Sequence, residues 1–354
     1  MNIFIILFVC IIIYQDKHAS ATDHGKLAPF YGSAEHQQKH NLQSIGKLND
    51  QFILTLTIVT GTFSNTLLVS EYFSTFSNMT ITEQNKIHLK LKASVAEFSQ
   101  VFNTTFVEYK CLINNYTNHV CFASTTEVFI PVSLHTAIIG ILGLEQVLTF
   151  KPNYREVKNL NRASSSYSYF LGSQAAQVYG APLSTGAGIK VGIVSLGGYF
   201  KQTDLNTFFS SNNLGTAPTI NIAYVDGGVQ NTGDIGSSGE NYLDIEIISS
   251  VVPQAIITIY FAPNTNQAFY DVLTAAIQNN NIVSCSWGSI ENVYPTSNLQ
   301  MFQTLFSTYS NVPVFIATGD HGSYSTTSSS IGGTGFPASC PNAIGNKKFN
   351  FLYM

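Results

Sequence analysis

The sequence predicts an α/β chain in which a parallel sheet with helices on both faces follows an α+β unit with an antiparallel sheet. Three observations carry this. From residue 169 onward, short and nearly continuous apolar runs alternate with longer helix-period stretches, as strands buried on both faces and their crossover helices require. Between residues 22 and 150 the runs are short, and one of them alternates with period two, the mark of an antiparallel sheet. Residues 151–168 interrupt both rhythms with a polar stretch rich in small residues.

The elements follow in order. Residues 1–21 contain an unbroken apolar run, Ile3 to Ile13, and then the small triplet Ala19-Ser20-Ala21. This pattern reads as a secretory signal peptide cleaved after Ala21. The run falls short of the roughly 20 residues that cross a bilayer, so no membrane partner is expected. In residues 22–150, Phe52 to Ile58 and Ile87 to Lys92 read as strands, Val95 to Phe106 has helical spacing, and Ala137 to Leu144 reads as core. Sequons at Asn78, Asn103 and Asn115 fit an exported protein. Cys111 and Cys121 flank a short polar stretch between two strand-like runs, so a disulfide across a hairpin is expected there. Residues 151–168 form a linker and the expected processing region. Beyond it, strands are read at Lys190–Leu196, Ala255–Phe261, Asn281–Trp287 and Val312–Thr318. Helices are read at Glu240–Ser249, Gln267–Gln278 and Leu299–Tyr309. In such sheets chemistry gathers at the carboxyl ends of the strands.

Composition narrows the partners. Of the 354 residues, 45% are hydrophobic and only 10% charged, against roughly 25% charged in an average soluble protein. A surface wetted mainly by Ser, Thr, Asn and Gln gains little net charge in acid, which suits an acidic workplace. The net charge of -4, without Lys/Arg clusters, excludes nucleic acid as a partner. Gly186, Gly188 and Gly192 precede or enter their strand, whereas a phosphate loop follows one, so no nucleotide cofactor is expected. Cys285 and Cys340 lack metal-ligand spacing.

Two places could carry chemistry. Glu240 and Asp244 are four residues apart, which puts both carboxylates on one helix face, one turn from each other. Two such acids cannot both ionise cheaply and can share a proton as a base and its orienting partner, although the same spacing also fits a solvated helix face. Asp320 lies just past the strand ending at Thr318, where a protonated carboxyl could donate to a developing oxyanion or simply cap a turn. His321, with no positioned partner, reads as a loop residue.

Several linked motifs then resemble one family. These are Gly239-Glu240 through Leu243-Asp244-Ile245-Glu246, Val252-Pro253, Tyr260-Phe261-Ala262-Pro263-Asn264-Thr265, Ser284-Cys285-Ser286-Trp287-Gly288, Thr318-Gly319-Asp320 and Phe336-Pro337-Ala338-Ser339-Cys340-Pro341. Together with Tyr179-Gly180-Ala181-Pro182 and the leading unit, they resemble the sedolisin serine-carboxyl peptidases, especially the kumamolisin branch, over roughly residues 50–345. The resemblance implies a subtilisin-like fold, incomplete at the carboxyl end, behind an activation prodomain at residues 22–150 that packs on a catalytic domain at 169–345. It implies Glu240 as general base, Asp244 as its orienting partner, Asp320 as oxyanion donor, and Trp287 and Gly288 beside the substrate. Ser195 stands where some relatives carry a further Glu. A Gly-Thr-Ser segment with the nucleophile and an Asp/Gly-rich calcium loop, both expected of a full-length member, are not among these residues, and residues 346–354 match no family segment. The expectation is therefore a secreted or lysosomal endopeptidase or tripeptidyl peptidase acting on protein substrates, with no cofactor in this chain and no peptidase activity of its own. The alternative is a noncatalytic binding or inhibitory protein.

Overall fold

The computed structural model describes residues 27–30, 43–110, 121–146, 151–152, 171–181, 184–319 and 333–346. Its leading unit contains β1 (Leu27–Phe30), β2 (Ser44–Lys47), β3 (Ile53–Thr60), α1 (Phe63–Phe73), β4 (Thr80–Gln84), β5 (His88–Ser94), α2 (Val95–Val101), β6 (Phe106–Tyr109), β7 (Cys121–Ser124), β8 (Val128–Pro131), β9 (Ile138–Leu142) and β10 (Glu145–Gln146). Two antiparallel four-stranded sheets, ordered β4-β5-β3-β9 and β10-β7-β6-β2, enclose a core that includes Leu56, Ile58, Leu89, Leu91, Phe98 and Phe106. The expected helix over Val95–Phe106 is shorter than its periodicity suggested. Ser94 and Glu97 close a capping box at its start, the helix stops at Val101, and Phe106 already begins a strand.

The second unit contains β11 (Lys151–Pro152), α3 (Gly172–Val178), β12 (Lys190–Ser195), α4 (Gln202–Ser211), β13 (Asn221–Tyr224), α5 (Ile235–Val251), β14 (Ile256–Phe261), α6 (Asn266–Asn279), β15 (Ile282–Cys285), β16 (Trp287–Ile290), α7 (Thr296–Thr308), β17 (Val314–Ala317), β18 (Gly335–Phe336) and β19 (Ile344–Asn346). Six of these strands form an all-parallel sheet ordered β13-β14-β12-β15-β17-β19. The α/β expectation holds, and helices cover both faces. Val191, Ile193, Ile257 and Ile259 point to one side, where they meet Leu205 and Phe209 of α4 and Ile245 of α5. Val194, Tyr260, Val283 and Val314 point to the other, into the core of α6 and α7. That second core also takes in Val59, Ile87 and Leu142, so the leading unit lies against the outer side of α6 and α7.

The first two residues of the expected linker form a strand. β11 pairs antiparallel with β16, Lys151 opposite Gly288 and Pro152 opposite Trp287. The rest of the 151–168 segment lies outside the described residues, as do residues 1–21, expected to be a signal peptide, Cys111, Asn115, Asp320, His321 and the 347–354 stretch.

Candidate active site

Helix α5 starts at Asp234, whose side chain accepts from the Ser237 amide, and its first turns are bolted to the carboxyl end of β12. The buried Asn241 donates to the Gly197 carbonyl at 3.0 Å, and the Tyr199 amide donates to Ser238 Oγ at 3.1 Å. Gly198 sits at φ +72 against the α5 backbone, and a Cβ there would overlap the Ser238 amide. This close approach needs glycine twice over, for its backbone angle and for its missing side chain.

So anchored, α5 turns Glu240 inward, where it is 3% exposed. A solvated helix face is thereby excluded for this residue. Asp244, one turn later, is half-buried and accepts a 2.8 Å hydrogen bond from the Ser286 hydroxyl. Burial first, and then the charge of Glu240, push the Asp244 carboxyl up to about 8, against the lowering effect of the Ser286 donor. Cys285 feels the same field. Its thiol rises to about 12, chiefly through burial, with further upward pushes from Asp244 and Glu240.

Ser286 is the site neighbour that sequence reasoning did not single out. It falls between β15 and β16, at the carboxyl edge of the sheet, 42 residues from its partner. The Ser-x-Ser spelling at a strand end was its one visible signal. Trp287 is 1% exposed and packed in the core of α6 and α7, and Gly288 is buried with its main chain paired to Lys151. The Ser195 hydroxyl is spent on its own loop, donating to the Gly197 carbonyl at 2.7 Å. Gly319, with φ +92, follows β17 at the same sheet edge, immediately before Asp320.

In the leading unit Asn78 and Asn103 are exposed, as acceptors for sugar must be. β6 and β7 form the expected hairpin, with Tyr109 opposite Cys121, and Cys121 is disulfide-bonded. Cys285 and Cys340 are free and buried. Among the described residues there is no group of three or more His, Cys, Asp or Glu side chains that could hold a metal ion. Nor is any described helix long and apolar enough to cross a membrane.

Chemically, the arrangement is a pair of inward-facing carboxyls with one protonated well above the usual range, beside a strand edge that already holds an extended segment. Comparisons with known proteins bear on it. Residues 38–147 match the family described as Pro-kumamolisin, activation domain. Kumamolisin of Bacillus sp. (strain MN-32) is 31% identical over 236 residues, a match covering 62% of this chain and 42% of that protein. The chain thus spans about two-fifths of the length of this curated relative. Among solved structures, Pseudomonas sedolisin (serine-carboxyl proteinase), complexed with two molecules of pseudo-iodotyrostatin, is similar over 49% of this chain and 52% of that one, at 22% identity and a TM-score of 0.42.

Proposed function

We propose, from the match of residues 38–147 to the pro-kumamolisin activation domain and the similarity to a kumamolisin over 236 residues, that this chain is built as the zymogen of a secreted, acid-acting serine-carboxyl peptidase of the sedolisin family. In this reading Glu240 takes the proton of a nucleophilic serine, Asp244 orients Glu240 and shares its proton, and Asp320 donates to the oxyanion. The observation that carries the reading is the carboxyl pair itself. Glu240 is turned into the protein, Asp244 is held by Ser286, and burial plus mutual repulsion keep a proton on the pair. A pair that shares one proton keeps a second carboxyl ionised to accept from a hydroxyl, and holding that singly protonated state through mildly acidic pH suits work in acid.

The pairing of β11 with β16 supports a peptide as substrate. An edge that takes an antiparallel strand from residues 151–152 offers main-chain hydrogen bonds to any extended peptide, with Trp287 and Gly288 beside it. That edge suits an internal stretch of a protein or its first few residues, so both endopeptidase and tripeptidyl peptidase belong to the class proposed. The place of work is outside the cell or in the lumen of a lysosome or other acidic vesicle. No nucleotide, metal or nucleic acid is needed by the residues present.

The nucleophile's Gly-Thr-Ser segment is not among these 354 residues. Removing the nucleophile of a cooperative triad lowers turnover on the order of a millionfold, so in this reading cleavage depends on that segment. The test is to read the transcript past Gly345 and to incubate its product with a denatured protein near about pH 4. Cleavage that is lost in Glu240→Gln and in Asp244→Asn is the expected result. Cleavage indifferent to both substitutions overturns the assignment. One observation favours a second reading, a noncatalytic binding or inhibitory protein: the leading unit closes a core of its own. A reading frame that ends without a serine segment, in a protein that binds an active relative, would establish it.

A further inference from the structure

Lys90 is the least expected side chain in the molecule. It sits on β5 among leucines that enter the leading unit's core, and its sequence neighbour Lys92 is exposed. Yet the Lys90 side chain is only 11% exposed, and it crosses from the leading unit into the second one. There its ammonium meets Asp271 of α6 at 3.0 Å and Asp226, in the turn after β13, at 3.0 Å, while Glu83 of β4 approaches from its own unit at 3.4 Å. Among the described residues it is the one cation paired with Asp226 or Asp271.

The setting is otherwise sealed and polar. The Asp271 side chain is 0% exposed and accepts from the Thr57 hydroxyl of β3 through both oxygens, at 3.2 and 3.0 Å. Thr57 in turn accepts from Gln267 of α6. His88 lies edge-on to the Tyr270 ring and is held by Glu83 and Asn85. A carboxylate this deep is strongly disfavoured unless a cation stays beside it, and an entombed ammonium is disfavoured without its carboxylates. Each unit therefore carries part of a charge set that is tolerable inside the interface only when both parts are present.

We propose that Lys90 is the docking key of the leading unit, and that Asp271 with Asp226 is the socket that decides which catalytic unit it will sit on. The surface around Lys90 fits a partner of defined chemistry: an α/β unit presenting one buried carboxylate on the helix after the third strand, in chain order, of its parallel sheet and a second on the turn after the second. A second copy of this chain meets that description. A unit with a neutral residue at the Asp271 position does not, because it would bury the ammonium with one of its three carboxylates missing. The apolar contacts of Val59, Ile87 and Leu142 supply adhesion, and the charge set supplies selectivity. This extends the zymogen reading but stands apart from the catalytic residues, so the two can fail separately.

The test uses the whole chain with a specific protease site inserted between residues 158 and 165. After cutting, the two parts are diluted and the dissociation constant of the nicked pair is read by size exclusion or native mass spectrometry. Lys90→Met is expected to weaken the pair at least 100-fold. Adding Asp271→Asn to that variant should recover at least tenfold of the loss, since no uncompensated charge is then buried, and such recovery also shows that both parts still fold. A Lys90→Met pair as tight as the parent overturns the proposal, and so does a loss that Asp271→Asn leaves unchanged or deepens.

Discussion

Asp244 holds its proton up to about pH 8 because its carboxyl is withdrawn from water and Glu240 stands one turn back on the same helix. Its folded pKa lies above the ordinary 3.8, so the folded state binds the extra proton between those limits. Stability from this group is fullest below 3.8 and falls as pH rises toward 8, by at most about 1.4 kcal/mol per pH unit. Asp244→Asn should flatten that slope in urea unfolding followed at a series of pH values. Ser286→Ala should act in the opposite sense: it removes the donor that favours the ionised form, and the Asp244 midpoint, read by carbon NMR of the carboxyl, should move above 8. The carboxyl pair was legible in the sequence because a spacing of four on a helix brings side chains together whatever the fold. Ser286 was not, because only the parallel sheet carries the end of β15 to the side of α5.

Among the elements, those of the second unit were the most readable. Four strands and three helices lie where apolar runs and helical periods put them, since strands covered on both faces leave little choice of residue. Helix α1 and strand β13 were missed, and both are half-wet: Leu67, Leu68, Ile222 and Tyr224 are exposed, which blurs the pattern. Helix α6 lies where its period put it, but its polar side is not wet. Asn266, Gln267, Tyr270 and Asp271 make a polar stripe of the kind that ordinarily faces solvent, but here each meets the leading unit, through Glu145, Thr57, His88 and Lys90. The anchorage of α5 on the loop after β12 carries its own prediction. Gly198→Ala forces a side chain into the α5 backbone at a left-handed backbone angle and should destabilise the second unit by at least about 1–3 kcal/mol, measured by chemical unfolding.

For the molecule as a whole, acid acts on the two units with opposite sign. In the leading unit the hydrogen bond from His88, aided by Lys90, holds Glu83 down at about 2, below its ordinary 4.5. Its contribution is complete above 4.5 and is lost as pH falls through 2. Asp244 contributes in reverse, gaining as pH falls from 8 to 3.8. The two limbs cross near about pH 4, and calorimetry from acid to neutral should find the highest melting temperature there. Glu83→Gln should remove the acid limb and carry the maximum lower, whereas a maximum unmoved near neutrality would contradict this account.

The polar stripe on α6 also bears on what remains once the two units part. Its inner side stays committed to the sheet and α7 through Phe269, Val272, Leu273, Ala276 and Ile277. The side laid bare offers amide, phenol and carboxylate groups to water, and once wetted, Asp271 is free to ionise without a companion. A freed second unit would thus carry a hydrated face on this helix beside the apolar surface that Val59, Ile87 and Leu142 had covered. Separation of the two units need not end in precipitation: the face that grips Lys90 is the same one that would keep the released half dispersed.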